Sequence, residues 1–107
     1  MSSFTDNLKK LPGVSHLLAL HLLDEEGRLA AVIENRPGSQ GSVLIYNHLA
    51  QTFGAITPEA AQHGLQLYAE HVDEARCHPG KHPNIDRLLA LLSAGSALQV
   101  KPVMDCW

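Results

Sequence analysis

The sequence predicts an α+β domain: a small antiparallel sheet, made of a hairpin and a C-terminal edge strand, packed with three to four helices in the order α-β-β-α-α-α-β. Three observations carry this. Strand-like and helix-like stretches are segregated rather than alternating, which favours an α+β layer. Breakers (Pro12-Gly13, Arg36 to Ser42, His78 to Pro83) cut the chain into short elements. And 107 residues, 45% hydrophobic and 18% charged, suit one globular core. Area scaling gives roughly 5,800 Å² folded against roughly 16,800 Å² unfolded, so about 65% of the surface is buried. Residues 1–107 are therefore read as a single domain, too small for a barrel enzyme or a dinucleotide-binding fold. Aromatics are only 5%, so the core must be aliphatic.

Phe4, Leu8 and Leu11 repeat at i, i+4, i+7 behind a capping Ser3, and Pro12-Gly13 ends that helix. Residues 15–23 and 28–34 form the hairpin. Asp24-Glu25-Glu26-Gly27 between them suits a type I turn followed by a left-handed residue. Both faces of this hairpin are apolar, with Leu18, Leu20, Leu22 and Val32 expected on one and Leu17, Leu23, Leu29 and Ile33 on the other. The second face therefore needs a cover, either the N-terminal helix or a second subunit, and a homodimer is expected.

Ile45, Leu49 and Phe53 mark the next helix, with Gly54 as its C-terminal cap. Thr57-Pro58-Glu59 opens another: a capping hydroxyl, a proline in the first turn, then an acid. Its stripe of Ala61, Leu65, Tyr68 and Val72 predicts one helix from Pro58 to Cys77, roughly 30 Å long. Asn84 is expected to cap the last helix, with Ile85, Leu88, Leu89 and Leu92 on its apolar face and Gly95 closing it. Leu98 and Val100 alternate with Gln99 and Lys101 as a half-buried strand, which Pro102 confines to a sheet edge or ends.

Charge and composition narrow the function. The net charge is −3, and the eight Lys and Arg residues are scattered, so nucleic-acid binding is not expected. No apolar run approaches a membrane span of ~20 residues. The N-terminus lacks the basic-then-apolar order of a secretory signal. Cys77 and Cys106 form no C-x-x-C pair; a reduced, cytoplasmic chain is expected, and a Cys77–Cys106 disulfide is the alternative.

Two loops hold the candidate site. Arg36-Pro37-Gly38-Ser39-Gln40-Gly41-Ser42 lies between a strand and a helix start, where free N–H groups and the helix dipole favour an anion. It has neither Walker nor G-x-G-x-x-G spacing. Its likeness to a G-x-S-x-G nucleophile elbow lacks a parallel sheet and an acid–histidine pair. His78-Pro79-Gly80-Lys81-His82-Pro83 repeats the logic before the last helix: Pro-Gly, donors, then a helix start. If the loops meet, Arg36, Gly38, Ser39, Gln40, Gly41, Ser42, Lys81, His82, Asn84 and Arg87 are the ligand-binding set. The principal expectation is a binding or accessory module for an anionic small molecule or acidic group. The alternatives are a small enzyme using His82 and Asp86 as acid and base in the same pocket, with Asp86 orienting His82 or Arg87, and a homodimeric interaction protein using the sheet face or the Leu67 ridge.

Seven histidines raise a metal question, centred on His71, Glu74, Cys77, His78 and His82. On one continuous helix, His63, Glu70, His71, Glu74 and His78 point away from the apolar stripe. His71 and His78 lie roughly 10 Å apart along the axis, too far to share an ion. His71 with Glu74, or Glu74 with His78, could chelate as i, i+3 and i, i+4 neighbours, and His82 could complete a set with Glu74 and His78, but neither H-E-x-x-H nor zinc-finger spacing is present. No resident metal or cofactor is expected.

Glu34-Asn35-Arg36-Pro37-Gly38-Ser39-Gln40-Gly41-Ser42, Leu67-Tyr68-Ala69-Glu70-His71, and the run from His78 through Pro83-Asn84-Ile85-Asp86-Arg87 to Leu88-Leu89 together resemble a family of small bacterial proteins classed as a domain of unknown function. The resemblance spans nearly the whole chain. It implies a bacterial cytoplasmic origin but no activity, cofactor or catalytic residue. The tail Met104-Asp105-Cys106-Trp107 looks like a variable end.

Overall fold

A computed structural model describes residues 3–104. The elements are α1 (Phe4–Lys9), β1 (Leu17–Leu23), β2 (Leu29–Glu34), α2 (Gln40–Phe53), α3 (Pro58–Tyr68), α4 (His71–Cys77), α5 (Pro83–Ala94) and β3 (Gln99–Met104). The class is α+β as expected, with one helix more than predicted. Cys106 and most of the tail lie outside the described residues, as does any Cys77–Cys106 pairing.

The sheet has the order β2-β1-β3, with both pairings antiparallel. The hairpin turn is the one its residues predict. Gly27 takes φ 81°, and Asp24 Oδ1 accepts the N–H groups of Glu26 and Arg28, both at 2.9 Å. Those bonds hold the Asp24 carboxyl below the usual carboxylate range, the Arg28 amide contributing most. Pro102 sits in β3, an edge strand, where its missing N–H leaves no central ladder bond unmade.

The register corrects the predicted faces. Ile33 pairs with Leu20, and Ala31 with Leu22, so these four share the inner face. Val32 pairs with His21 and stands outward. A bulge between Leu22 and Leu23 shifts the β2 alternation relative to a simple hairpin count. Beneath the sheet, α2, α3 and α5 supply Val43, Ile45, Tyr46, Leu49, Ala60, Ala61, Ile85 and Leu88, all essentially inaccessible to solvent. α1 packs on α2 and α3 rather than over the second sheet face. Leu18, Leu29, Val32 and Met104 remain 45–57% exposed.

The helix predicted from Pro58 to Cys77 is two. Thr57 caps the first by accepting the Ala60 N–H, as its hydroxyl predicts. The break comes at Ala69, which adopts φ 53°, ψ −120°, a region that costs a non-glycine residue about 1–3 kcal/mol. No Gly or Pro signals it; contacts to distant segments flank it. Tyr68, buried on α3, donates its hydroxyl to Ser42 Oγ at 2.6 Å. Two residues on, Glu70 Oε1 accepts the Phe4 N–H at 2.9 Å. That bond stabilises the Glu70 carboxylate and lowers its pKa. Beyond the break, α4 restarts on a new heading, so His71 and Glu74 become half-buried instead of pointing to solvent, while His78 stays exposed.

Two helix starts also move. α2 begins at Gln40, not near Ser42. Ser39 stands at the N-cap without capping, because its hydroxyl donates back to the Glu34 carbonyl. α5 begins at Pro83, a residue pre-set for the first helical position, so His82 rather than Asn84 is the N-cap.

Candidate functional site

The two glycine loops meet. A cavity of about 440 Å³ is bordered on one side by Gly38, Gln40, Gly41 and Ser42 and on the other by Lys81, His82, Pro83, Asn84 and Ile85. Phe4 and Leu8 of α1, Tyr68 of α3 and His71 of α4 close it. Gly38 and Gly80 both take φ 94°, a left-handed turn that glycine makes without a steric penalty. Gly80 is further held by its N–H donating to Asp86 Oδ2 at 2.8 Å.

α2 and α5 both begin at this cavity. Among the described residues, neither the Gly41 nor the Asn84 N–H has a backbone acceptor, the usual state of first-turn amides. Ser42 Oγ accepts from Tyr68, which leaves the Ser42 hydroxyl proton available to an acceptor in the cavity. Tyr68 itself stays protonated, its pKa driven far up by burial. The α5 start is anchored from below: Tyr46 donates to the Asn84 carbonyl at 2.6 Å. Arg87 Nη1 donates to both Tyr46 Oη (3.2 Å) and Asn84 Oδ1 (2.7 Å).

Not every expected residue reaches the cavity. Gly38, Gln40, Gly41, Ser42, Lys81, His82 and Asn84 line it; Arg36, Ser39 and Arg87 do not. Arg36 is drawn outward by Glu34, 2.8 Å from its Nε. Ser39 spends its hydroxyl on the Glu34 carbonyl. Arg87 lies over the Tyr46 ring, 5.7 Å from its centroid. The acid–base pair His82 and Asp86 does not converge there either. His82 lines the cavity, while Asp86 is occupied in shaping the 78–83 loop through Gly80. Gly41 serves packing: a Cβ there would lie 2.9 Å from Phe4 Cζ and 3.2 Å from Leu8 Cδ1, so its bareness lets α1 close over the site.

The sequence reading missed Phe4, Leu8 and Tyr68. Phe4 and Tyr68 stack with centroids 5.8 Å apart and planes at 8°. The helical phase of Tyr68 marked it as buried but could not reveal a hydroxyl directed at Ser42. On the opposite wall, Lys81 Nζ is paired with Glu74 Oε1. This ammonium, and then His82, hold the Glu74 carboxyl below the usual carboxylate range.

The family model describing an uncharacterized protein conserved in bacteria, DUF2322, matches residues 4–102. The chain belongs to that family. The DUF2322 match runs from α1 into β3 and so takes in every residue that borders the cavity. No curated protein and no solved structure matches the chain.

Proposed function

We propose that this DUF2322 chain is a small binding module whose cavity takes an anionic small molecule, with a phosphate or carboxylate seated between the starts of α2 and α5. One observation carries the reading: two separate helix N-termini and Lys81 border a single cavity, the Lys81 ammonium itself pairing with Glu74. First-turn amides and the positive ends of two helix dipoles favour negative charge, and Lys81 adds a charge-assisted donor once it turns from Glu74 to the ligand. The two loops are stiffened by Pro37, Pro79 and Pro83, so ordering them on binding costs little. The family is conserved in bacteria, and Cys77, exposed and unpaired among the described residues, suits a reducing compartment such as the cytoplasm.

The test is thermal unfolding in phosphate or sulfate against chloride at matched ionic strength. A ligand at on the order of 100 times its Kd adds about 2.7 kcal/mol, so Tm should rise by several degrees. Lys81→Ala should remove most of the rise and Arg36→Ala should not. Absence of a rise, or one that Lys81→Ala leaves intact, ends this reading.

A second reading concerns assembly. Leu18, Leu29, Val32 and Met104 leave apolar surface exposed on the sheet strands, a feature that marks interaction sites when contiguous. A second copy of the chain placed against the sheet gives a homodimer. Light scattering at micromolar concentration should return twice the chain mass, and Val32→Glu should return the chain mass. A wild-type monomer rejects it.

A further inference from the structure

The cavity wall formed by α4 and the 78–83 loop carries a second cluster whose chemistry differs from that of the anion seat. His71 and Glu74 lie three residues apart on α4, and His82 arrives from the loop. Each offers one ligand atom, and these atoms lie within 4.8 Å of one another. We infer that His71, Glu74 and His82 form a binding site for a divalent first-row transition-metal ion, with its remaining coordination positions open to the cavity.

The donor set is the first argument. Two imidazoles and one carboxylate suit zinc, iron, cobalt or manganese, whereas calcium and magnesium prefer oxygen alone. Three protein ligands leave room for a water or a ligand atom from the cavity, which both His71 and His82 line. Metal–nitrogen and metal–oxygen bonds of about 2.0–2.2 Å allow donors at most roughly 4.2 Å apart across the ion. A small turn of the side chains closes the set.

The second argument is an unmet need. His82 Nε2 is buried and has no hydrogen-bond partner among the described residues. It sits 3.3 Å from Glu74 Oε1, within ion-pair distance but without a hydrogen bond. Buried polar atoms rarely go unpaired, and those that do call for an explanation. A cation between these two atoms supplies one.

The third is positioning. The His71 ring meets Phe4 edge to face, with centroids 4.7 Å apart and planes at 88°, which orients the imidazole. Its centroid is 5.8 Å from that of His82. The strained Ala69 backbone is what turns α4 so that an i, i+3 His–Glu pair faces the loop. Without that break both side chains would point to water. His78 and Cys77, the neighbouring alternatives, are exposed and outside the set. Lys81 already occupies Glu74 with an ammonium, so it competes with the ion for the same carboxylate, and ion binding releases Lys81 toward the cavity.

The experiment is a titration of untagged, chelator-treated protein with Co²⁺, followed by visible absorption, and with Zn²⁺, followed by calorimetry, both in phosphate-free buffer. One ion per chain is expected. His71→Ala, His82→Ala and Glu74→Gln should each weaken binding at least about 100-fold, the upper end of what losing a mere supporting partner costs. His78→Ala should change nothing, and Lys81→Met should tighten binding. Glu74→Gln keeps the side-chain shape, so the test survives even if loss of His71 against Phe4 unfolds the chain. No binding at one equivalent, or His78→Ala weakening it as much as His82→Ala, or Glu74→Gln leaving it intact, overturns the site. Because the metal is tested alone, failure here leaves the anion reading standing, and failure of the phosphate test leaves this site standing.

Discussion

Tyr46→Ala should lower the unfolding free energy by about 3–5 kcal/mol, the range for removing a fully buried aromatic ring. Domains of this size are held by roughly 5–15 kcal/mol in all, so the variant stands near the edge of folding. Tyr46 is inaccessible to solvent in the middle of α2. Its ring lies under the Arg87 guanidinium, and its hydroxyl is both a donor to the Asn84 carbonyl and an acceptor from Arg87. Truncation opens a cavity and removes two hydrogen bonds at once. Tyr46→Phe separates these effects: the packing stays and the two lost hydrogen bonds, one of them to a guanidinium, cost about 1–3 kcal/mol.

A pH arm checks the same contact. Burial pushes the Tyr46 hydroxyl up to about 12 from its ordinary 10, against the opposing pull of Arg87. A folded-state value above the unfolded one means that the folded chain holds this proton more tightly. The stabilisation is therefore complete below pH 10 and drains away as pH rises from about 10 toward about 12. Denaturant melts across that window should fall more steeply for the wild type than for Tyr46→Phe. Tyr68 contributes a slope of the same sign in both proteins, because burial raises its pKa too. Parallel slopes would show that Tyr46 ionises freely and is not enclosed as described.

Gly64→Val should cost about 3 kcal/mol, the upper end for forcing extra volume into a packed interior. A Cβ at Gly64 would lie 2.8 Å from Leu49 Cδ1 and 2.9 Å from Leu88 Cδ1, with Ile45 Cγ2 at 3.8 Å. Both leucine atoms are side-chain tips, but Leu49, Leu88 and Ile45 are fully buried. They can move only into space already filled. This bare backbone lets α3 pack directly against side chains of α2 and α5. Gly64→Ala sets two effects against each other: a gain of up to about 1 kcal/mol in helix propensity and a clash of about 1–3 kcal/mol. The clash should win by about 1 kcal/mol, since neither leucine has a free direction to turn. Equilibrium denaturation measures both variants. A Gly64→Ala chain more stable than the wild type would show that the helices separate easily, and that the glycine is not there for packing.

Gly64 illustrates what a single sequence hides. It stood inside a predicted helix with nothing to set it apart, because its reason lies on two other helices. Ala69 is the same lesson in the backbone. The apolar stripe runs on from Tyr68 to Val72 at helical spacing, so local pattern argues for one helix. The chain nonetheless breaks there, with Tyr68 bonded to Ser42 and Glu70 to Phe4 on either side of Ala69. That break also decided which pair His82 joins: a continuous helix offered Glu74 with either His71 or His78 and set His82 beside Glu74 and His78, whereas the structure groups His82 with His71 and Glu74 and leaves His78 out. The charged candidates divided for a similar reason. Arg36 and Arg87 were plausible pocket cations by position, but each has a nearer partner, Glu34 and Tyr46–Asn84 respectively.

The chain's own residues determined whatever depends on neighbours within a few positions. The hairpin turn at Asp24–Gly27, the Thr57-Pro58 helix start, the helix ends at Gly54 and Gly95 and the edge placement of Pro102 all follow from local backbone chemistry. The class of the fold follows from how strands and helices are segregated along the chain. Tertiary structure alone decided the β2 register, the break at Ala69, the meeting of the 36–42 and 78–84 loops and the grouping of His71, Glu74 and His82. Each of these depends on contacts between segments far apart in sequence, whose energies exceed the small local preferences they override.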